Sequence, residues 1–388
     1  LALVFRSTLS WLLKIDEEYI NFIIWVLVLD ALTIAPFAKL RADSRPVYFA
    51  MVKVGSVAFN VILNFFFLWG LPKWAQDYPG SIWDSIYIEG FEVGYVFVAN
   101  VMSSLAALLF LLPHYLKLSW HFYPELWKRM MRYSLPVMVA GIAFAINEVF
   151  DRPLLAYLNV PVDQIGQYSA CYRLALFMTL FTTAFRMGVE PFFFSHANKE
   201  NARETYAMIT KYFVIFGSVI LLGVIAFADI FKLILIRDPK FWDGMRAVPL
   251  IILANFCLGI YTNLSVWYKL SDKTKMGAYI SSIGAIITLL FNFALIPVWG
   301  YMGSAIATVA AYGAMMLISY FIGAKYYPIP YDVKGMGTYL GLSIFLSAVS
   351  FYVPVLRQTY VFGFLALVGF IIFIYKKEKH SLLKIIRK

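Results

Sequence analysis

The sequence predicts an all-α, polytopic membrane protein, on three observations. Of 388 residues, 62% are hydrophobic and only 14% charged, where ordinary domains run at roughly half and a quarter. Aromatic residues make up 18%, and a water-soluble fold would have to expose much of that surface. Apolar runs recur along the whole chain, and a membrane helix needs roughly 20 such residues. Disorder, collagen and a disulfide scaffold are excluded by composition. The two cysteines, Cys171 and Cys257, lie inside apolar runs and cannot form a framework.

Taken in order, the complete candidate spans are 19–37, 47–71, 89–112, 131–158, 165–190, 212–235, 247–268, 276–297, 302–323, 335–353 and 361–375. That makes about eleven, plus a partial first one. The first residue is Leu1, and residues 1–13 read as the tail of an apolar span, so the chain is expected to be truncated at its N-terminus. The short last span can extend through the lysines that follow it by snorkelling.

Charge in the connectors fixes the expected topology. Connectors 38–46, 113–130, 191–211, 269–275 and 324–334 and the tail 376–388 carry 20 Lys and Arg against 7 acids. The alternate set, 14–18, 72–88, 159–164, 236–246, 298–301 and 354–360, carries 6 against 8. By the positive-inside rule the first set is cytoplasmic and so is the C-terminus. The net charge of +11 therefore describes orientation and anionic lipid headgroups rather than nucleic acid. Trp74, Tyr78, Trp83 and Tyr87 fit an interfacial aromatic belt in the longest outer loop.

A weak internal repeat accompanies these spans. Lys39-Leu40 with Asp43 precedes Asn64-Phe65, and six spans later Lys269-Leu270 with Asp272 precedes Asn292-Phe293. An even offset keeps both copies in one orientation, the parallel-repeat arrangement of some transporters. The expected domains are an incomplete N-terminal lobe at 1–126, a six-helix C-terminal lobe at 127–330, and two extra helices with a basic tail at 331–388.

The stretch Asn292-Phe293-Ala294-Leu295-Ile296-Pro297, with Gly300, Gly303-Ser304-Ala305 and Ala307-Thr308, resembles a late-span signature of polysaccharide flippases. So do Leu29-Asp30-Ala31-Leu32 through Pro36-Phe37-Ala38-Lys39-Leu40-Arg41, and Phe185-Arg186-Met187-Gly188-Val189-Glu190-Pro191-Phe192-Phe193-Phe194, which are similar to O-antigen and lipopolysaccharide flippase-like proteins. These belong to the multidrug/oligosaccharidyl-lipid/polysaccharide exporter superfamily. The resemblance runs along essentially the whole chain. It implies a MATE-like two-lobe helical bundle in the bacterial inner membrane, rocking between inward-open and outward-open states. It also implies a cargo of polyprenyl-pyrophosphate-linked oligosaccharide for surface polysaccharide biosynthesis, with membrane lipids and polysaccharide assembly enzymes as partners.

Seven cations and seven acids remain inside the spans. Each costs at least ~2.5–3.5 kcal/mol at a helix centre and normally faces a cavity or a partner. Spacing pairs Glu148 with Arg152 and Arg186 with Glu190 at i,i+4, and Asp229 with Lys232 at i,i+3. Asp30 and Lys53 are expected at equal depth on either side of the 38–46 turn, either as a hairpin salt bridge or with Asp30 orienting a cavity-lining Lys53. Arg173 has no acid at i±3 or i±4, and Asp151 or Glu148 is expected to meet it across the 159–164 turn. Pro153 is expected to bend its helix. A guanidinium suits phosphate because its planar fork engages two oxygens. The expected substrate-binding cations are thus Arg173, Lys53, Arg132 and Arg186; Asp30, Glu148, Asp151 and Glu190 would orient them or carry a coupling proton. Gly303, Ala307 and Ala311 form a small-residue stripe for close helix packing.

No GxxxxGK[ST], HExxH or GxSxG motif is present, and His114, His121, His196 and His380 all fall in connectors. An enzyme, a metal site and a bound cofactor are not expected. The competing functions are a cation-coupled multidrug antiporter of the same fold, which would need unpaired cavity carboxylates, and a non-transporting scaffold.

Overall fold

The computed structural model describes residues 5–13, 15–43, 45–116, 121–197, 199–271 and 273–386, and every regular element among them is a helix. Asp272 of the repeat and Leu1 lie outside the described residues. Contacts divide the chain into two units, Leu1–Pro124 and Glu125–Lys388. Eight helical stretches among the described residues are long and apolar enough to cross a membrane.

The first unit contains α1 (Arg6–Leu13), α2 (Glu17–Ala42), α3 (Pro46–Phe65), α4 (Leu71–Asp77), α5 (Ile82–Ile86) and α6 (Glu92–Leu116). Glu17 and Glu18 open α2 and Lys39 and Arg41 close it, matching the helix dipole at both ends. Pro46 starts α3, where its missing N–H costs no helical bond. A π-helical turn, Phe66–Gly70, joins α3 to α4. Both α2 and α3 pack on α6. Their outer surfaces stay apolar: Leu27 is 63% exposed and Val54 67%, as suits helices that meet hydrocarbon.

The second unit contains α7 (Pro124–Val149), α8 (Asp151–Tyr157), α9 (Val162–Ser195), α10 (Ala202–Ala226), α11 (Ala228–Leu235), α12 (Val248–Leu264), α13 (Val266–Leu270), α14 (Lys275–Trp299), α15 (Tyr301–Tyr326), α16 (Val333–Tyr352), α17 (Pro354–Thr359) and α18 (Val361–Ile386). Tyr168, Tyr206, Phe213, Phe256, Trp267, Tyr339 and Phe370 are among its large, fully buried side chains. α18 continues well past the apolar run that ends near residue 375, carrying its lysines with it.

Three expected spans are interrupted. The 131–158 run breaks at Phe150, between α7 and α8. Pro153 explains the break, because its ring displaces the carbonyl four residues back, that of Val149, and it has no N–H to donate there. The 212–235 run breaks at Phe227 and the 247–268 run at Ser265.

The small-residue stripe lies where α14 and α15 meet. Ala307 and Ala311 are fully buried. A Cβ on Gly303 would sit 2.5 Å from the Leu295 backbone, so only glycine allows this approach. Gly300 makes the turn into it with φ of +55°, a conformation that also favours glycine.

Two ion networks pin the last helices. Asp229 pairs with Lys232 at 2.6 Å, and Arg357 of α17 binds the same carboxylate at both oxygens, 2.5 and 2.8 Å. Lys211 of α10 bonds Glu378 of α18 at 2.7 Å and Asp332 at 3.2 Å, while the Tyr339 hydroxyl donates to Glu378 at 2.7 Å. Asp332 also caps α16 by accepting from the Gly335 N–H at 2.9 Å. That N–H bond, opposed by burial and reinforced by Lys211, holds the Asp332 carboxyl below its usual range. A depressed carboxylate stabilises the fold above its unfolded pKa of about 4 and loses this as pH falls through the folded value. Thermal stability is therefore expected to drop as pH falls below about 4, and less so in Asp332→Asn. Equal acid sensitivity in the two proteins would rule out this source.

Candidate functional site

In the first unit a polar cavity of about 260 Å³ opens between α2, α3 and α6. Its chemistry is carried by Asp30 and Thr33 of α2, Lys53 and Asn60 of α3, and Asn100 and Ser104 of α6. Asp30 and Lys53 line it together but form no ion pair. Asp30 instead accepts from the Ser104 hydroxyl at 2.7 Å, and the Lys53 ammonium lies 5.6 Å from the centre of the Phe37 ring. The reason is helix length. α2 runs on to Ala42, so Asp30 stands twelve residues from its end, about 18 Å, while Lys53 is seven past Pro46, about 10 Å. Lys53 thus faces Phe37, two turns beyond Asp30.

Amides form the cavity's other wall. Asn60 donates to Asn100 at 3.0 Å across the helices, and Asn64 donates to the Asn60 carbonyl at 2.9 Å. In the second unit, Asn292 makes the same backbone bond to Thr288 at 2.7 Å, so the two asparagines of the repeat are used alike. The back-bond to residue i−4 gives each amide N–H an acceptor, while the Asn292 Oδ1 is buried without a hydrogen-bond partner among the described residues.

Around Asp151 the second unit holds a buried polar cluster. Asp151 is 5% exposed and accepts from the Tyr168 and Tyr172 hydroxyls at 2.7 Å each, and from the Arg152 N–H at 2.8 Å. The Arg152 guanidinium covers the Tyr172 ring at 4.8 Å. One turn back, Asn147 donates to the Ser281 carbonyl at 2.9 Å and accepts from Thr288 at 2.8 Å. The Tyr312 hydroxyl bonds the Asn147 carbonyl at 2.8 Å and lies within hydrogen-bonding reach of Glu148. These bonds tie α7 and α8 to α9, α14 and α15.

Several expected pairings are corrected. Arg173 does not meet Asp151 or Glu148; it is exposed, and its guanidinium donates to the Leu235 carbonyl at 3.0 Å, at the C-terminus of α11. Tyr168 and Tyr172, at i,i+4, occupy the face of α9 that sees Asp151, and Arg173 is turned about 100° from Tyr172. Arg173 is therefore a helix-end cap, favoured by the dipole. Arg173→Ala is expected to cost about 1 kcal/mol of stability, read by thermal unfolding. A larger fall in transport than in stability would show that it contacts cargo.

Glu148 and Arg152 do not pair either, because the break at Phe150 ends the continuous helix between them. Nor do Arg186 and Glu190: Glu190 bonds Lys269 of α13 at 2.5 Å. Arg186 remains exposed beside that pair, on a small cavity also lined by Thr262, Asn263 and Ser265. α9 has 34 residues, about 51 Å, more than a roughly 30 Å hydrocarbon core requires. Arg186 and Glu190 sit in its last third. Arg132 is exposed on α7 and makes no ion pair among the described residues.

Spacing pointed to Asp229–Lys232, which forms, but gave no sign of Arg357 or of Lys269 as the partner of Glu190. The tyrosine pair on α9 was the available signal for Asp151.

No protein-family model matches the chain, and no curated protein sequence does. Among solved structures, it aligns with "Lipid II flippase MurJ, inward closed conformation" at a TM-score of 0.65 and 13% identity, over 93% of this chain and 73% of that one. The fold is MurJ-like. An all-α, polytopic architecture follows from the sequence and from this likeness together.

Proposed function

We propose that the chain is a flippase that moves a polyprenyl-pyrophosphate-linked oligosaccharide across the bacterial inner membrane by alternating access, for surface polysaccharide assembly. The observation that carries this reading is the Asp30–Lys53 cavity. An unpaired cation, a carboxylate and two amides line space between helices whose other faces are apolar. Intramembrane charges are expensive, and such a set is retained where a polar head must be accommodated. The MurJ-like fold supports the same reading, since that neighbour is a lipid II flippase.

Lys53 would attract the pyrophosphate, Asp30 and the asparagines would hold the head's hydroxyls, and the lipid tail would remain outside. Arg186 and Arg132 would raise positive potential along the cargo's route. Asp30, Glu148 and Asp151 are the groups whose protonation could couple transport to a proton gradient. Glu190 orients Lys269.

The test is reconstitution in proteoliposomes with a fluorescent lipid-linked oligosaccharide and a membrane-impermeant quencher. Transfer of label between leaflets is the expected result. Movement of cationic drugs without lipid-linked sugar would replace this function with antiport, and movement of neither would leave a scaffold.

A further inference from the structure

A second cavity, of about 480 Å³, adjoins the polar one and shares Asp30, Thr33, Phe37 and Lys53 with it. It adds Arg41 and Phe49. Arg41 stands one residue before the end of α2, exposed, and makes no ion pair among the described residues. Its guanidinium lies 5.8 Å from the centre of the Phe49 ring, and Phe49 meets Phe37 edge to face at 5.2 Å. Lys53 lies over Phe37 in turn, at 5.6 Å. Two cations are thus held against two touching rings, a weak contact that places each charge without neutralising it.

The hydroxyls around them are spent inside the protein. Thr33 donates to the Asp30 carbonyl at 2.8 Å, Ser56 to the Lys53 carbonyl at 2.9 Å, and Ser103 to the Ser56 carbonyl at 2.6 Å. Ser104 donates to the Asp30 carboxylate, which fills one of about four lone-pair positions there. The charges left for a ligand are therefore two cations and one carboxylate. Counted from the end of α2 they come in the order Arg41, Lys53, Asp30, the last two about 8 Å apart along the helix axis.

That order discriminates between heads. One bearing only negative charge is drawn in by Arg41 and Lys53 and repelled by Asp30 at the deep end, and surroundings poor in water strengthen both effects. A cation further along the head turns the repulsion into attraction. We infer that the site takes a zwitterionic head, with a diphosphate between Arg41 and Lys53 and a protonated amine, on a sugar further from the lipid, at Asp30. The inference rests on the transport reading above and narrows the cargo to lipid-linked saccharides that carry a free amino sugar. Asp30 then makes a charge-assisted bond, stronger than one to a sugar hydroxyl. An acetylated amine forfeits it and leaves the carboxylate without its partner.

The test compares two cargoes with the same fluorescent tail, a polyprenyl diphosphate-linked disaccharide ending in glucosamine and the same lipid with that amine acetylated. The full chain is reconstituted in phosphatidylglycerol vesicles. Wild-type protein is expected to move the amine about tenfold faster than its acetylated twin. Asp30→Asn should bring the amine down to the acetylated rate and leave the acetylated cargo unchanged, whereas Arg41→Gln and Lys53→Gln should slow both. Equal rates for the two cargoes in wild-type protein would overturn the inference and leave transport standing. So would an equal fall of both in Asp30→Asn, the mark of a coupling proton. Loss of the preference on adding phosphatidylethanolamine would also overturn it, since that head carries the same two charges and would then be the ligand. Native mass spectrometry of the purified chain with each cargo separates this inference from the reading beneath it. Preferential retention of the amine without translocation of either cargo would remove the transport reading and leave the zwitterion site; neither retention nor translocation would remove both.

Discussion

Asp151→Ala is expected to lower the unfolding free energy by about 3–5 kcal/mol, the largest stability effect among single changes at the candidate sites. Both tyrosine hydroxyls that donate to this carboxylate would lose their acceptor in a region where Tyr168 is fully buried. Each buried donor left unmet costs about 1–3 kcal/mol, and the Arg152 N–H adds a third. Asp151→Asn keeps one carbonyl oxygen and should lose only about half as much. Tyr172→Phe is the informative companion, because it removes one donor while preserving the ring under Arg152. Thermal unfolding in lipid nanodiscs reads all three. A loss below about 1 kcal/mol in Asp151→Ala would mean that water replaces the carboxylate, and the cluster would then be hydrated rather than dry.

The contrast between Asp151 and Arg173 shows what the sequence could and could not reveal. Apolar runs, connector charge, Pro153 and the Gly303–Ala307–Ala311 stripe are local signals, and they marked helices, a break and a close contact. Partners of intramembrane charges depend on which faces of different helices meet, and periodicity within one helix is silent on that. Glu190 had Arg186 one turn away on its own helix, yet it bonds Lys269 from a short helix that follows a break at Ser265. Depth was misjudged for a related reason. The apolar run of α2 ends near Phe37, but Lys39 and Arg41 continue the helix to Ala42 by keeping their charged ends in the polar zone. Five extra residues, about 8 Å, are enough to replace the Asp30–Lys53 hairpin ion pair, one of the two expected arrangements, with two separate contacts.

Translocation of lipid-linked sugar is expected to fall at least about tenfold in both Lys53→Gln and Asp30→Asn, with no loss of thermal stability. The two halves of that outcome have one cause. An intramembrane charge costs at least ~2.5–3.5 kcal/mol at a helix centre, so neutralising it should leave the fold as stable as before or more so. Asn at position 30 keeps an oxygen for the Ser104 hydroxyl, so the α2–α6 contact survives and only the charge is removed. Lys53 carries no ion pair to break, and Phe37 loses only a weak cation–π partner at 5.6 Å. Lys53→Arg restores a cation that can grip two phosphate oxygens and should recover much of the rate. Arg173→Ala should show the opposite pattern, lower stability with transport retained, because its bond goes to a helix end. The same four proteins therefore separate a cavity cation from a structural one in one experiment. Wild-type rates in both Lys53→Gln and Asp30→Asn would take this cavity out of the mechanism and leave Arg186, beside the Glu190–Lys269 pair, as the cation to test next.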